Sequence, residues 1–362
     1  MGPMRRHRVS LATALVGLLL GVVACAGGPP DSVPPLPVVV RPNPTAVDPV
    51  VVAAGDVACA PSEPLFSGSD PNACQMRATA NLIVGLAPNY LLPLGDNQYA
   101  SKSAPQGTQP SSADYQNSYN KTWGTLENKV PGLVVRPVPG NHEYGANLED
   151  DLPLASGSTY YDNFGPRGLN QLPPGVTNAA NDYFSYDIPV NGGTWHIIAL
   201  DSECRTAVGG CQAGSAQETW LRNDLAAHRS TCTLAYWHEP RWSAISPQGG
   251  GQPYGNEYAA FWNDLVAARA TLVLNAHEHI YEHLGPMDAE GNQAPGGLSQ
   301  FIVGTGGEDH EGVGVEGPSL IYRNDHAFGV LKLTLHAAFV TYAFQGTDGL
   351  TADKGSIHCP AL

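Results

Sequence analysis

His277 and His279 flank a single glutamate in Ala276-His277-Glu278-His279. On an extended segment, residues two apart point the same way, so both imidazoles can face one ion. Other side chains of metal-ligating type recur along the chain: Asp56 after Gly55, Asp96 after Gly95, Asn141 and His142 in Gly140-Asn141-His142-Glu143, and a lone His238. Taken singly, each has an ordinary reading. Gly-Asp is a common turn, Gly-Asn-His-Glu suits a capped turn, and a lone histidine is usually a satisfied core or loop residue. Taken together they form a set of oxygen and imidazole donors without thiolate, which suits iron, zinc or manganese.

The elements that would position these groups can be read around them. Apolar runs ending in Asp56, in Asp96, in Asn141-His142, in His238 and in His277-Glu278-His279 read as five strands. Helical patterns cover 74–86, 120–129, 215–229 and 257–270, a hairpin covers 182–188 and 194–200, and two alternating runs occupy 327–344. Strands alternating with helices predict layered α/β architecture. In such sheets ligands bind at the carboxyl ends of strands, so the five runs deliver their polar residues to one edge.

The 362-residue chain has 42% hydrophobic and only 14% charged residues, with 41 Gly and 31 Pro, which predicts a large core carrying long loops. Arg5, Arg6 and Arg8 precede an uncharged apolar run that ends at Cys25. The run is short for a membrane span and reads as an export signal. Val22-Val23-Ala24-Cys25 resembles a bacterial lipoprotein cleavage site. The expected organisation is a signal over 1–24, a Pro-rich linker over 25–49 tethering a lipid on Cys25, and a folded domain over 50–362. An ordinary secretory signal is the alternative.

Six cysteines remain after Cys25, an even set that suits an oxidising compartment. Short spacing favours Cys59–Cys74 and Cys204–Cys211, which leaves Cys232 with Cys359. The formal charge of −15 becomes −18 without residues 1–24. Such acidity opposes nucleic-acid backbones and anionic membranes. No nucleic-acid binding is expected, membrane contact would come only through the lipid, and no protein partner is indicated. A phosphate substrate would need a local positive centre, and no basic run follows the signal to supply one.

The ordered series Gly-Asp, Gly-Asp, Gly-Asn-His-Glu, His and His-x-His resembles the calcineurin-like metallophosphoesterases over residues 50 to about 285. The resemblance implies a four-layer α-β-β-α sandwich with two metal ions at the strand tips. One departure is informative. Where typical members have histidine two places after the first aspartate, this chain has Ala58, whose methyl cannot bind metal. The purple acid phosphatase branch fills that gap with a tyrosine in Gly-Asp-x-x-Tyr, which Gly95-Asp96-Asn97-Gln98-Tyr99 matches.

Carried over on these motifs, one ion is held by Asp56, Asp96, Tyr99 and His279. The other is held by Asp96, Asn141, His238 and His277, with Asp96 bridging. A phenolate favours Fe(III) at the first position, leaving Fe(II), Zn or Mn at the second. The implied reaction is hydrolysis of phosphate monoesters by a metal-bound hydroxide, with His142 assisting the leaving group. A phosphodiesterase or nucleotidase on the same site is the nearest rival, and a non-catalytic metal-containing surface lipoprotein is the rival of another class. Glu143 is read as orienting His142 or as a surface residue. Arg241 is read as a substrate contact or a structural ion pair. Trp242, Tyr254 and Trp262 are read as core or cleft aromatics, and His283 as lying behind the ligands or facing solvent. Ala276, in place of a usual glycine, is expected to shift the backbone slightly, and Gly304–Gly307 to form a tight loop by the site.

Overall fold

A computed structural model describes residues 47–105, 107–145, 157–164, 183–203, 210–228, 232–243, 255–312 and 319–360. The signal and lipid site, the linker before residue 47, Tyr254 and Cys204 lie outside the described residues.

The first strands are short, apolar and buried, as expected for parallel strands covered on both faces. β1 (Val50–Ala54) lies parallel to β2 (Tyr90–Pro93), which lies parallel to β3 (Val134–Val135). β1 and β2 are connected through α1 (Met76–Leu86). Between β2 and β3 lie α2 (Ser112–Asn117) and α3 (Leu126–Lys129), and α4 (Ser158–Phe164) follows β3. The hairpin β4 (Phe184–Val190) and β5 (Gly193–Ala199) precedes α5 (Ala216–Ala227), which starts on a Ser215 hydroxyl accepting from the Glu218 amide. Then come β6 (Cys232–Tyr236), α6 (Ala259–Ala267), β7 (Leu272–Asn275), β8 (Tyr281–Met287) and β9 (Leu298–Val303). β10 (Leu320–Asn324), β11 (Gly329–Leu335), β12 (Phe339–Gly346) and β13 (Thr351–His358) complete the order.

These strands make two sheets, one ordered β13-β12-β11-β1-β2-β3 and the other β10-β8-β9-β7-β6-β5-β4. The two-residue period of the second sheet shows how the layers stack. Ile197, Leu234, Leu272, Leu274 and Phe301 belong to the core shared with β1, β2 and β11. Their neighbours Ile198, Ala235, Val273 and Ile302 pack instead with Leu221 and Leu225 of α5 and Phe261, Trp262 and Leu265 of α6. On the other sheet α1 packs against β11 and α3. The result is the expected four layers, helix, sheet, sheet and helix. Disulfides join Cys59 to Cys74, as the short spacing predicts, and Cys232 to Cys359, the pair expected to remain.

Residues 120–129 do not make one helix. They form 3-10 turns at Tyr119–Lys121 and Trp123–Thr125 before α3. The Thr122 hydroxyl bonds back to the Ser118 and Tyr119 carbonyls, and Gly124 is a poor helix former.

Candidate metal centre

Asp56, Asp96, His238 and His277 each follow the carboxyl end of a parallel strand, β1, β2, β6 and β7 respectively. Asn141 opens a 3-10 turn, Asn141–Tyr144, beyond β3. The backbone at Asp56, Asp96 and His277 is left-handed, with φ of 57°, 45° and 72°. Such positions cost on the order of 1–3 kcal/mol for a residue with a side chain, and their clustering marks a functional locus. Two glycines let the chain pass close by. A Cβ on Gly95 (φ 95°) would stand 2.5 Å from His238 Nδ1, and one on Gly140 would stand 2.4 Å from Asp96 Oδ1.

The donor atoms fall into two groups that share Asp96. In one, the Tyr99 hydroxyl is 2.8 Å from Asp56 Oδ1, 3.1 Å from Asp96 Oδ2 and 2.9 Å from His279 Nε2. In the other, Asn141 Oδ1 is 3.0 Å from both His238 Nε2 and His277 Nδ1. Those two nitrogens lie 3.3 Å apart, and His238 Nε2 is 3.2 Å from Asp96 Oδ2. The seven side chains singled out from the sequence are thus brought together. Two carboxylates, an amide oxygen, a phenol and three imidazoles form a donor set that fits hard or borderline cations.

Burial alone would raise the Asp96 carboxyl, but the His238 and His142 imidazoles outweigh it and hold Asp96 well below the usual carboxylate range. Burial works against charge on His238 too, yet the Asp96 carboxylate pushes His238 up to about 10. Burial, then the Asp56 and Asp96 carboxylates, push the Tyr99 phenol well above its ordinary value. A multivalent cation at the same place would reverse that order.

The backbone holds Tyr99 beside the Ala58 segment. Its amide donates to the Ala58 carbonyl at 2.9 Å, and Ala58 bridges to Gln98 in parallel. The Ala276 methyl is accommodated by a glycine. A Cβ on Gly55 would stand 2.5 Å from it, so Gly55 leaves the space that Ala276 occupies. The His142 ring packs on Tyr99 with centroids 4.3 Å apart, and its amide donates to Asp96 Oδ1 at 2.8 Å. Burial lowers its pKa below that of an ordinary histidine, against the pull of Asp96.

Glu143 neither orients His142 nor lies on the surface. It is buried and accepts from the amides of Asn97 (2.8 Å), Gln98 (3.2 Å) and Gly140 (2.7 Å), and from the Tyr115 hydroxyl (3.0 Å). It therefore ties the Asp96 loop to the Asn141 turn. Burial and then the Asp96 charge push its carboxyl up to about 8. Its place three residues after Gly140, as in a capping box, was the available signal.

Arg241 is buried beside Trp242, its guanidinium 4.3 Å from the ring centroid, and donates to Asn256 Oδ1 at 3.3 Å. Its partners are the Trp242 ring, the Gly255 carbonyl at 3.4 Å and the exposed Asn256, and the Glu257 carboxylate favours its charge, which suits the structural reading; it does not line the cavity beside the donors. Trp242 and Trp262 pack in the core under the helices. His283 is buried on β8, stacked on Phe301 and 3.0 Å from Asp353, so it neither faces solvent nor backs a ligand. Gly304–Gly307 is a tight loop under Asp56: Gly306 donates to the Gly55 carbonyl and Glu308 to that of Asp56.

Sequence reasoning missed the acids that follow this loop. Asp309 Oδ1 lies 2.5 Å from His279 Nδ1, and Lys102 Nζ lies 2.8 Å from Asp309 and 3.0 Å from Glu308. A cavity of about 450 Å³ opens beside them, lined among others by Tyr99, Lys102, His142, His279 and Glu311. A second cavity of about 350 Å³, by Trp123 and Arg136, touches none of the seven donors.

No family model matches the chain, and no curated protein matches it. Solved structures do. The chain is similar to the purple acid phosphatase PPD1 from yellow lupin (Lupinus luteus) seeds, with a TM-score of 0.61 and 17% identity over 86% of this chain and 54% of the plant protein. It thus spans about half the length of that protein. It is also similar to GAP50, the anchor in the inner membrane complex of Plasmodium (TM-score 0.59, 11% identity, 87% of this chain and 90% of that one). PhoD is a third match (TM-score 0.55, 13% identity, 85% and 68%). With its two stacked sheets and outer helices, the chain has the calcineurin-like metallophosphoesterase fold.

Proposed function

We propose that the chain is an exported dinuclear-metal phosphoesterase that hydrolyses phosphate monoesters. One observation carries the reading: Asp96 Oδ2 lies 3.1 Å from the Tyr99 hydroxyl and 3.2 Å from His238 Nε2, so one carboxylate oxygen serves both donor groups. A shared carboxylate suits a pair of cations held close together. In this reading Asp56, Asp96, Tyr99 and His279 hold one ion, and Asp96, Asn141, His238 and His277 hold the other. The phenol favours Fe(III) in the first place, and Fe(II), Zn or Mn suits the second.

When bound, such ions supply an activated water near neutral pH and offset charge on the phosphoryl oxygens. The chain's own residues do the rest. In this reading His142, which lines the cavity and packs on Tyr99, hydrogen-bonds the leaving oxygen. The hydrogen bond its backbone amide donates to Asp96 Oδ1 fixes its distance from the centre. Glu143 keeps the Asp96 and Asn141 loops in register.

Export is supported by the basic and apolar amino terminus and by two disulfides, which persist in oxidising compartments. Among the described residues no helix is long and apolar enough to cross a membrane. Residues 1–24 are proposed as the signal, Cys25 as the lipid site and 25–49 as the tether.

The fold alone does not require turnover, since the Plasmodium neighbour is described as an anchor. The deciding experiment is hydrolysis of p-nitrophenyl phosphate and of bis-p-nitrophenyl phosphate by the purified mature chain supplied with iron, zinc or manganese. Faster monoester turnover that Asp96→Asn lowers by about 10²–10³-fold supports the reading. A diester preference shifts it to the phosphodiesterase, and no turnover with any metal gives the non-catalytic alternative.

A further inference from the structure

His238, whose Nε2 faces Asp96, and His279, whose Nε2 faces the Tyr99 hydroxyl, are backed differently. His238 Nδ1 rests 2.9 Å from the Leu94 carbonyl oxygen, a neutral acceptor. His279 Nδ1 faces a carboxylate, Asp309 Oδ1 at 2.5 Å, with Glu308 Oε2 at 3.7 Å. A ring N–H given to an anion fixes the tautomer, directs the other nitrogen outward and raises its basicity as a ligand. In His279 that other nitrogen, Nε2, lies 2.9 Å from the Tyr99 hydroxyl and 3.4 Å from Asp56 Oδ1.

The acidic segment is held firmly. The Gly307 and Glu308 carbonyls accept from the Gln75 and Cys74 amides at 2.6 and 2.7 Å, and Cys74 is bonded to Cys59. The Glu308 amide donates to the Asp56 carbonyl at 3.0 Å. Lys102, three residues beyond Tyr99, reaches Asp309 Oδ2 at 2.8 Å and Glu308 Oε1 at 3.0 Å. Its own amide donates to Glu63 Oε1 at 2.7 Å. Asp309 therefore has one oxygen on His279 and the other on Lys102, which leaves its carboxylate little freedom to turn.

We propose that Asp309 is a positioning residue for His279, held by Lys102, and that it makes the imidazole on the Tyr99 side of the centre the stronger donor. This rests on the metal-centre reading and adds to it a reason for unequal sites. The Asp56–Tyr99–His279 side combines a carboxylate, a phenol and a carboxylate-backed imidazole. The Asn141–His238–His277 side includes a neutral amide and a carbonyl-backed imidazole. The side richer in anions would take the ion of higher charge.

The test uses the mature chain loaded with two equivalents of zinc, challenged with graded EDTA and read by elemental analysis. With Asp309→Asn, one equivalent should leave at about 10–100-fold lower chelator, while the other leaves as in wild type. The melting temperature of the metal-free variant should be unchanged, which a merely structural role would not allow. Lys102 is largely exposed, so Lys102→Met serves as a second variant that leaves Asp309 in place, and it should give a smaller loss of the same equivalent. Loss of both equivalents together, or of neither, overturns the positioning role. A wild-type chain that holds none of zinc, iron and manganese overturns the metal-centre reading, and this inference with it.

Discussion

Among the described residues, the histidine–carboxylate cluster under α5 and the one at the strand tips are built on opposite principles. Beneath α5, His196 Nδ1 lies 2.8 Å from Asp187 and its Nε2 lies 2.7 Å from Asp224. His228 stacks on it with centroids 3.8 Å apart and turns its Nδ1 to the Asp224 carbonyl at 2.8 Å. His196 and Asp187 are directly paired strand residues, and Asp224 is helical, so regular backbone presents them. At the strand tips, by contrast, His238 Nε2 and His277 Nδ1 crowd each other at 3.3 Å over one amide oxygen, and three of the donors sit on left-handed backbone. The first cluster satisfies its own charges, while the second gathers donors that a cation would satisfy. Counting histidines does not separate them, but tracing where each ring nitrogen goes does.

The sharpest break of that contrast is a pair of amide substitutions. Asp96→Asn should lower phosphomonoester hydrolysis by about 10²–10³-fold, a loss of roughly 3–4 kcal/mol of transition-state stabilisation. Asp187→Asn should leave initial rates and metal content unchanged. Equal losses in both variants would mean that the clusters are not different in kind. Chelation should separate them next. Ions present at about 100 times their dissociation constants stabilise the folded chain by about 2.7 kcal/mol per site. EDTA should therefore lower the urea midpoint of the wild type and of Asp187→Asn, and should scarcely move that of Asp96→Asn.

The cluster under α5 should show itself in pH instead. Burial disfavours a charged His196, but Asp224 and Asp187 outweigh burial and raise it above the usual histidine value. A histidine raised on folding contributes its full stabilisation below about pH 6.5, the unfolded value, and loses it as pH rises through the folded value. Asp224→Asn should cost about 1–3 kcal/mol at pH 6 and less at higher pH, read from urea midpoints across that range. A pH-independent cost would show that the His196–Asp224 contact acts by packing rather than charge.

Much of the centre was legible because its residues end strongly apolar runs. Val50–Ala54, Cys232–Tyr236 and Leu272–Asn275 are strands by composition, and the acids and histidines just past them inherit their positions. Tyr99 was legible only through the resemblance, by its match to the purple acid phosphatase Gly-Asp-x-x-Tyr motif beside the alanine at 58. What stayed hidden depends on contacts distant in sequence. Glu143 reads as a turn residue until Asn97 and Gln98 are seen to donate to it. Asp309 stands 30 residues from His279, in a loop without periodicity. β8 contains Gly285 and Pro286, which usually interrupt a strand, and β13 is a largely exposed edge strand, so neither shows the alternation that marks a half-buried one.

The smallest effect tests the finest feature of the comparison, the phenol that the α5 cluster lacks. Tyr99→Phe removes one oxygen and keeps the ring on which His142 packs. Asp56, Asp96 and His279 remain, so a cation bound on that side would lose one donor of four. Hydrolysis should fall by less than about tenfold, under 1.4 kcal/mol. The visible absorption of iron-loaded protein should change far more, because colour from a phenolate–Fe(III) contact needs that oxygen. Elemental analysis beside the spectrum separates the outcomes. Iron retained with the band lost assigns the colour to Tyr99, whereas iron retained with the band unmoved would place the phenol outside the coordination and leave Tyr99 a hydrogen-bond donor to Asp56.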